Sequence, residues 1–253
     1  MSMRLRDRVV IITGGAQGIG EAFARRFAGE GAKVAIVNRD PKKAAAVVNS
    51  IRRAGGEAMA VQANVGRVAD IDAAVRHVVD AYGTVHVLIN NAGVYLMSRL
   101  GDTTEETFDA MVNVNFKGVF FFCQSVLPIF ERQGHGKIIN VGSIFGHDGY
   151  PDSAVYCGAK AAITLLTKSL ALELRQRNIQ VNAIAPGWIE TPMNESARKG
   201  GGEYLRLVDE RFGGPGAWMK PEELAGSAVF LASPDADSVT GTLLFVDRGW
   251  SAY

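Results

Sequence analysis

Seven short apolar runs, rich in β-branched residues, alternate along the 253-residue chain with longer segments of helical period. A run that lacks polar alternation is typical of a strand covered on both faces, as in a parallel sheet. The alternation therefore predicts repeated β–α–β units in a doubly wound α/β fold. The runs are 8–13, 33–38, 57–62, 85–90, 137–141, 179–184 and 242–247, and the helical segments include 20–30, 41–54, 68–82, 104–130 and 153–177.

No linker, repeat or low-complexity tract divides the chain, so residues 1–253 are predicted to form a single domain. One region breaks the alternation, because residues 188–220 carry clustered glycines and two prolines between predicted elements. Long irregular insertions in compact α/β domains usually have a function. We expect a substrate lid here, and the alternative is a surface excursion without a role.

The overall charge and the cysteine content exclude several classes of protein. A net charge of +1 gives no field that attracts nucleic acid or a membrane surface. The charged N-terminus precedes an apolar run too short for a signal peptide, and no apolar run reaches the length of a membrane span. Cys123, Cys157 and the four histidines show no metal-binding or redox spacing. We expect a cytoplasmic protein without a metal, a nucleic-acid partner or a membrane partner.

A glycine-rich turn follows the first predicted strand and opens a helix. In TGGAQGIG, residues 13–20, Gly14, Gly18 and Gly20 let the backbone turn tightly and approach an anion, and Gln17 and Ile19 lie between them. The helix N-terminus supplies free N–H groups and a positive dipole end for a phosphate. This predicts a Rossmann-type dinucleotide site, with a glycine-rich turn that binds no ligand as the alternative.

The end of the second strand predicts which dinucleotide binds. Many such folds place an acid there to accept from the adenosine ribose, but this chain has Asn38 followed by Arg39. A guanidinium binds a 2′-phosphate through charge-assisted hydrogen bonds that a carboxylate would prevent. We therefore expect NADP(H), with NAD(H) as the alternative if Arg39 is only a solvated arginine paired with Asp40.

A tyrosine and a lysine lie four positions apart in the helical segment 153–177. Tyr156 and Lys160 would share one helix face, where the ammonium would favour ionisation of the phenol. Lowering a phenol pKa from about 10 to near neutrality takes roughly 3 to 4 kcal/mol. Taken alone, the pair also fits a packing tyrosine and a lysine that reaches solvent.

Taken together, these motifs resemble the short-chain dehydrogenase/reductase family in its single-domain branch. The resemblance covers essentially the whole chain and rests on six motifs in family order. They are TGGAQGIG at 13–20, NNAG at 90–93, Asn115 in NVNFKG, Ser143 after the fifth strand, YCGAK at 156–160 and PGWIET at 186–191.

The resemblance implies a catalytic role for four residues. Tyr156 would exchange the proton of the substrate hydroxyl. Lys160 would lower the pKa of Tyr156 and bind the nicotinamide ribose. Ser143 would donate a hydrogen bond to the carbonyl oxygen of the substrate. Asn115 would kink its helix and hold a water that relays protons to Lys160.

The resemblance also completes the expected cofactor site and implies a homotetramer in which the segments 104–130 and 153–177 pair between subunits.

Two positions depart from the family pattern. Asn64, followed by Val65, replaces a common aspartate, and Arg248 replaces a common glycine. The added cofactor-binding positions are Asn64, Val65, Asn91, Ala92, Gly93, Pro186, Gly187, Ile189 and Thr191.

The expected substrate pocket is largely apolar and aromatic, which suits a hydrophobic or cyclic ketone. Its walls are expected from Val94, Tyr95, Ile144 to His147, Tyr150, Trp188, Met193 and either Tyr204 or Trp218. The sequence thus predicts an NADP(H)-dependent oxidoreductase that interconverts a secondary alcohol and a ketone. A 3-oxoacyl thioester reductase is the alternative substrate class, and a non-catalytic dinucleotide sensor or scaffold is the alternative of another kind.

Overall fold

The computed structural model of the protein describes residues 3–200, 210 and 218–252. The strands are β1 Val9–Thr13, β2 Lys33–Asn38, β3 Glu57–Gln62, β4 Val87–Asn90, β5 Gly136–Val141, β6 Ile179–Pro186 and β7 Leu243–Val246. The helices are α1 Gly18–Gly29, α2 Pro41–Arg53, α3 Val68–Tyr82, α4 Glu105–Val112, α5 Gly118–Gln133, α6 Ala154–Leu174, α7 Glu195–Gly200 and α8 Pro221–Ala232.

Seven parallel strands form one sheet in the order β3-β2-β1-β4-β5-β6-β7. The order reverses between β1 and β4, where Val10 pairs with Val87 and Ile12 with Ile89. In a doubly wound sheet this reversal opens a crevice at the carboxyl ends of the strands, which is where ligands bind. The predicted fold class is confirmed.

The strand residues divide between two hydrophobic cores because successive side chains point to opposite faces of a sheet. In β1, Val10 and Ile12 pack in the core formed with α1, α2 and α8. Val9 and Ile11 pack in the core formed with α3, α5 and α6. Burial on both faces explains why these strands read as unbroken apolar runs.

The helix predicted over 104–130 is interrupted. A π-helical turn, Asn113–Lys117, separates α4 from α5, and fully buried Asn115 lies at its centre. The sequence analysis also did not identify α8, which follows the predicted lid and packs mainly against α1. Both differences arise where tertiary contacts decide the local structure.

The two ends of the predicted lid are joined. Ile189 and Met219 form an isolated parallel bridge, in which the Met219 N–H donates to Trp188 at 2.8 Å and the Glu190 N–H donates to Met219 at 2.9 Å. The rest of the predicted lid, including Tyr204, falls at residues 201–209 and 211–217, outside the described residues.

Two helical stretches, 105–133 and 154–177, are long and apolar enough to cross a membrane by length and composition alone. The apolar runs in the sequence had suggested that no segment reaches this length. Both stretches contribute to the core beside α3, and core helices often have the same length and composition. The observation is therefore weak evidence for a membrane location.

Candidate active site

A cavity of about 450 Å³ lies at the carboxyl ends of the strands, beside the reversal between β1 and β4. Residues from the glycine-rich turn, the ends of β2 to β6 and the start of the lid line it. All the residues expected from the sequence to bind cofactor line this cavity, with the exception of Gly20. The cavity thus brings together residues that are far apart in the chain.

The glycine-rich turn forms a tight cradle at one end of the cavity. Gly14 and Gly18 have φ angles of +65° and +54°, which favour glycine over any other residue. A Cβ on Gly20 would lie 2.4 Å from both the Gly14 carbonyl oxygen and Asn91 Nδ2. The Asn91 side chain donates to the Thr13 and Gly14 carbonyls at 2.9 and 3.2 Å. Gly20 therefore packs the turn and does not line the cavity itself.

The residues present in this cradle fit a dinucleotide. The turn leads directly into α1, whose N-terminus lies against the cavity and offers backbone N–H groups to an anion. At Gly18 an added Cβ would meet Thr191 Cγ2 at 3.2 Å, so this backbone also borders the lid. A phosphate can approach the backbone here only because no side chain occupies the space.

The adenosine end of the cavity carries positive charge. Arg39 and Lys43 both line it, and Lys43 Nζ lies 3.5 Å from Gln17 Oε1 of the glycine-rich turn. Asp40 caps α2 by accepting from the N–H groups of Lys42 and Lys43, at 2.9 and 3.2 Å. Within the described part of the chain, no carboxylate lies within ion-pair distance of the Arg39 guanidinium. The expected alternative, an Arg39–Asp40 pair, is not formed.

Asn64 lines the cavity and also shapes the turn after β3. Its Oδ1 accepts from the Gly66 N–H at 3.0 Å, and its own N–H donates to Asp70 at 3.1 Å. The side chain therefore shapes the turn after β3 while it lines the cavity with Val65. One lone pair of Oδ1 remains for a second donor, such as an adenine amine.

The catalytic residues converge between β5 and α6. Ser143 follows β5, and its Oγ accepts from the Phe145 N–H at 3.1 Å. Tyr156 lies in the first turn of α6 and hydrogen bonds to Ser143. Lys160 Nζ lies 5.8 Å from the centre of the Tyr156 ring. The spacing predicted from the sequence therefore does bring the phenol and the ammonium into one space.

The effect on Tyr156 is the opposite of the expected one. Burial raises the pKa of Tyr156 to about 12, and the hydrogen bond from Ser143 opposes this rise only in part. The same low-dielectric surroundings lower the pKa of Lys160 to about 8. The expected lowering of the phenol pKa is therefore not observed, because burial is the largest cause of the shift.

Asn115 holds the segment that follows NNAG. Its amide donates to the Val94 carbonyl at 2.8 Å and accepts from the Val94 N–H at 3.0 Å. A Cβ on Gly93 would lie 3.0 Å from Asn115 Oδ1 and 3.7 Å from Lys160 Nζ, so the two side chains flank this glycine. The π-helical turn aims Asn115 at the active site. The implied water relay stays a prediction.

Aromatic residues wall the substrate end. Tyr95, Ile144, Phe145, Trp188 and Met193 line the cavity. The Trp188 ring packs edge-on against four other rings, which are Phe145, Tyr150, Trp218 and Trp250 at centroid distances of 5.5, 6.1, 5.5 and 5.4 Å.

His147 and Tyr150 are not among the described residues that line the cavity, which corrects the expectation for both. The His147 ring packs on Phe245 at 5.3 Å, and Tyr150 stacks behind Phe145 at 4.5 Å. Trp218 likewise supports Trp188 from outside the lining. An expectation based on position after the strand ends could not separate the residues that face the cavity from those in the row behind them.

Asn194 is a site residue that the sequence analysis missed. Its amide donates to the Ile189 carbonyl at 2.7 Å and accepts from the Thr191 N–H at 3.2 Å, so it fixes the segment expected to hold the nicotinamide. Asn194 lies three residues after Thr191, and the pair forms a capping box. That spacing is a readable signal.

The described residues contain no group of three or more His, Cys, Asp or Glu side chains that could hold a metal ion. The hydroxyl groups of Ser143 and Tyr156 and the ammonium of Lys160 all line the cavity.

A glycine cradle beside paired hydroxyl donors defines a dinucleotide-dependent oxidoreductase, and comparison with known proteins agrees. Residues 8–201 match the family model described as short chain dehydrogenase. The chain belongs to this family, whose members bind nicotinamide dinucleotides, and it is an oxidoreductase.

Named relatives span several substrates. The 3-oxoacyl-acyl-carrier-protein reductase of Thermotoga maritima is 40% identical over 98% of this chain and 99% of its own length. The 3beta-hydroxysteroid dehydrogenase 1 of Eggerthella lenta is 39% identical over 98% of this chain and 95% of its own. The structure of a gluconate 5-dehydrogenase from Burkholderia cenocepacia, in complex with NADP and tartrate, superposes with a TM-score of 0.93 at 34% identity, covering 99% and 98% of the two chains.

Proposed function

We propose that the protein is an NADP(H)-dependent enzyme that interconverts a secondary alcohol and an apolar, cyclic ketone. The observation that carries the proposal is the position of the Tyr156 and Ser143 hydroxyls at the boundary between the glycine cradle and an aromatic wall. A carbonyl oxygen bound there meets two donors at once. A ligand that only regulated the protein would need neither group.

The hydroxyl groups act on the oxygen of the substrate. Ser143 and Tyr156 donate to the carbonyl oxygen, and both bonds strengthen as that oxygen gains negative charge. When bound, the nicotinamide ring supplies the hydride for the carbonyl carbon. Tyr156 gives its proton to the oxygen and completes the alcohol, and the reverse reaction follows the same route.

The high pKa of Tyr156 fits the role of an acid. With a pKa of about 12, the phenol is protonated at neutral pH and holds the proton that the reduced oxygen needs. The Lys160 ammonium then stabilises the phenolate left behind, and it lies close enough to do so without a direct hydrogen bond. Its own bond to the Val141 carbonyl, 2.8 Å long, keeps it at this distance.

The preference for NADP(H) is supported by the charge at the end of β2. Arg39 and Lys43 line the cavity, and Asp40 is occupied with the α2 backbone. A 2′-phosphate would find two cations there, and the one carboxylate in the described lining, Asp40, accepts hydrogen bonds from the α2 backbone. The structural relative with NADP bound, the gluconate 5-dehydrogenase, agrees with this proposal.

The substrate class is supported by the wall of rings. Around Ser143 and Tyr156, the described lining of the cavity carries no charged side chain other than Lys160. Such a wall favours a flat apolar ketone over a sugar acid. The second candidate, a 3-oxoacyl thioester, is favoured by the 40% identical acyl-carrier-protein reductase.

We also propose that the enzyme is a cytoplasmic homotetramer that pairs α5 and α6 between subunits. Phe120, Leu165 and Leu172 on these helices are 40%, 68% and 66% exposed in the single chain. Exposed large apolar side chains on two adjacent long helices are typical of a covered surface. Sedimentation of the wild type and of Leu165→Glu tests the assembly.

The test of function is a steady-state screen of cyclic, aromatic, acyl-thioester and sugar-acid ketones with NADPH and NADH. The proposal predicts the highest kcat/KM for NADPH with a cyclic or aromatic ketone. Highest activity with the thioester would favour the second candidate. Binding of cofactor without turnover of any ketone would overturn the enzymatic proposal in favour of a sensor or scaffold.

A further inference from the structure

Tyr95 is a second tyrosine in direct contact with the catalytic one. It lies two residues after Gly93, lines the cavity and packs its ring edge-on against Tyr156, with centroids 4.9 Å apart and an interplanar angle of 71°. Edge-to-face ring pairs have a preferred geometry worth about 0.5 to 1.5 kcal/mol beyond burial. The contact therefore fixes how the Tyr156 ring is oriented as well as covering it.

The phenol of Tyr95 is itself anchored. Its oxygen lies 2.8 Å from Ser153 Oγ, and the Ser153 hydroxyl lies 3.0 Å from the Pro151 carbonyl, to which it donates. Since the serine proton is used there, Tyr95 is the donor in the first bond. The chain of bonds runs from the cavity wall to the backbone that leads into α6.

Ser153 has an unusual position for this task. It is the N-cap residue of α6, where serine normally accepts from the helix backbone, but its side chain makes no such bond. Only 2% of Ser153 is exposed, and Tyr156 lies three residues further on. The hydroxyl that would cap the catalytic helix is used instead to hold Tyr95.

Two further contacts join the same segments. The Ser98 N–H donates to the Asp152 carbonyl at 2.8 Å, and the Arg99 guanidinium lies 3.7 Å from the Asp152 carboxylate. Asp152 has a φ of +55°, a left-handed conformation that costs a non-glycine residue about 1 kcal/mol. The loop after β4 is thus fastened to the start of α6 at two consecutive positions, 152 and 153.

We propose that Tyr95 is a positioning residue for the acid–base tyrosine, acting through its bond to Ser153 to hold the Tyr156 ring toward Ser143 and to shield it from water. The inference rests on the proposed role of Tyr156. Among the described residues, the titratable groups around the Tyr156 phenol are Tyr95 from the loop after β4 and Cys157 and Lys160 from α6. Tyr95 is also one cause, after burial, of the raised pKa of Tyr156.

The test is a double-mutant cycle of Tyr95→Phe and Ser153→Ala, measured with the best ketone of the screen. Because both variants break the same bond, each should lower kcat about 3- to 10-fold, and the double variant should lose no more than either single one. The KM for the cofactor should stay within about twofold, since neither residue borders the glycine cradle. Rates are expressed per cofactor-binding site, so that a misfolded fraction does not count.

The pH profile separates positioning from mere packing. Tyr95→Ala removes the shielding ring and should move the Tyr156-dependent limb of the pH profile of kcat about one unit toward lower pH, whereas Tyr95→Phe keeps the ring and should move that limb much less. The matched control is Tyr82→Phe, a half-buried tyrosine of α3 far from the site. It should change neither kcat nor the profile.

A readout without turnover keeps this inference separate from the proposed function. In protein labelled with ¹³C-tyrosine, the Tyr156 resonance, assigned with Tyr156→Phe, should move in Tyr95→Phe and Ser153→Ala and not in Tyr82→Phe. An unmoved resonance, an unchanged kcat in both single variants or additive losses in the double variant would overturn the inference. A wild type without turnover would overturn the proposed function instead.

Discussion

Lys160 donates from Nζ to the backbone carbonyl of Val141 at 2.8 Å, and this bond joins the catalytic helix to the end of β5. Lys160 as a whole is only 5% exposed. Burial lowers its pKa to about 8 from an ordinary value of 10.5. The protein thus carries a charge that is useful for chemistry and unfavourable for folding.

Replacing this lysine should stabilise the ligand-free protein while it abolishes turnover. A lysine with a lowered folded-state pKa contributes stability only above its unfolded pKa, and this contribution is lost as the pH falls through about 8. At pH 7 Lys160→Met should therefore raise the free energy of unfolding by about 2 kcal/mol, after about 1 kcal/mol is lost at the Val141 carbonyl. Chemical denaturation at pH 7 measures this change in the free energy of unfolding.

Lys168→Met is the matched control, since Lys168 is an exposed lysine two turns further along α6. It should leave both stability and turnover nearly unchanged. A fall in stability on Lys160→Met would contradict this account of the buried ammonium.

Two glycines of α1, Gly20 and Gly29, should respond differently to replacement by alanine. Gly20→Ala would place a Cβ 2.4 Å from the Gly14 carbonyl, so it should cost about 2 to 4 kcal/mol of stability and weaken cofactor binding at least tenfold. Gly29→Ala, at the end of the same helix, meets nothing within 4 Å and should be neutral or stabilising by up to about 1 kcal/mol. Thermal unfolding and cofactor titration distinguish the two.

Cofactor choice should follow Arg39. Arg39→Asp removes the cation for the 2′-phosphate and introduces an anion, so kcat/KM with NADPH should fall about 10- to 100-fold while that with NADH is unchanged or higher. Lys42→Asp, on an exposed neighbour outside the described lining of the cavity, controls for general electrostatics. Equal losses in both variants, or a wild type that prefers NADH, would show that Arg39 does not select the cofactor.

Acid stability should depend on His86. Its Nδ1 accepts from the Val9 N–H at 2.9 Å, and burial first, then the nearby Arg8 and His135 charges, lower its pKa from 6.5 to about 4. The stability that it contributes is present above pH 6.5 and is lost as the pH falls through about 4. Because the residue is only half-buried, the loss should be about 1 to 2 kcal/mol.

His86→Asn keeps an acceptor for Val9 and removes the titration, so urea unfolding from pH 7 to pH 4 should show a flatter dependence than the wild type. Exposed His77→Asn on α3 is the control and should leave the slope unchanged. An equal dependence of stability on pH in the wild type and in His86→Asn would rule out His86 as the source of the acid sensitivity.

The strands and the doubly wound parallel sheet could be predicted because each strand is buried on both faces, which leaves a plain apolar run in the sequence. The helical period did not predict the π-helical turn, and only the family resemblance implied a kink at Asn115, since the turn depends on the bonds between Asn115 and Val94, 21 residues apart. Helical period is a local signal, and this interruption is set by a tertiary contact.

The catalytic residues could be placed from motifs, but their electrostatics could not. The spacing of Tyr156 and Lys160 puts the phenol and the ammonium together, whereas the sign of the pKa shift depends on how deeply both are buried. Similarly, His147 and Tyr150 share the composition of a pocket wall but pack one row behind it. The bond from Tyr95 to Ser153 has no signature in the sequence at all.

The central claim is that Tyr156 moves the proton of an alcohol–ketone oxidoreduction, and Tyr156→Phe tests it most directly. The ring keeps its contacts with Tyr95 and Phe145, so folding and the affinity for NADPH should stay within about threefold of the wild type. Single-turnover reduction of the best ketone should slow by at least about 100-fold, the smallest effect expected from losing a general acid. A rate within tenfold of the wild type would contradict the claim.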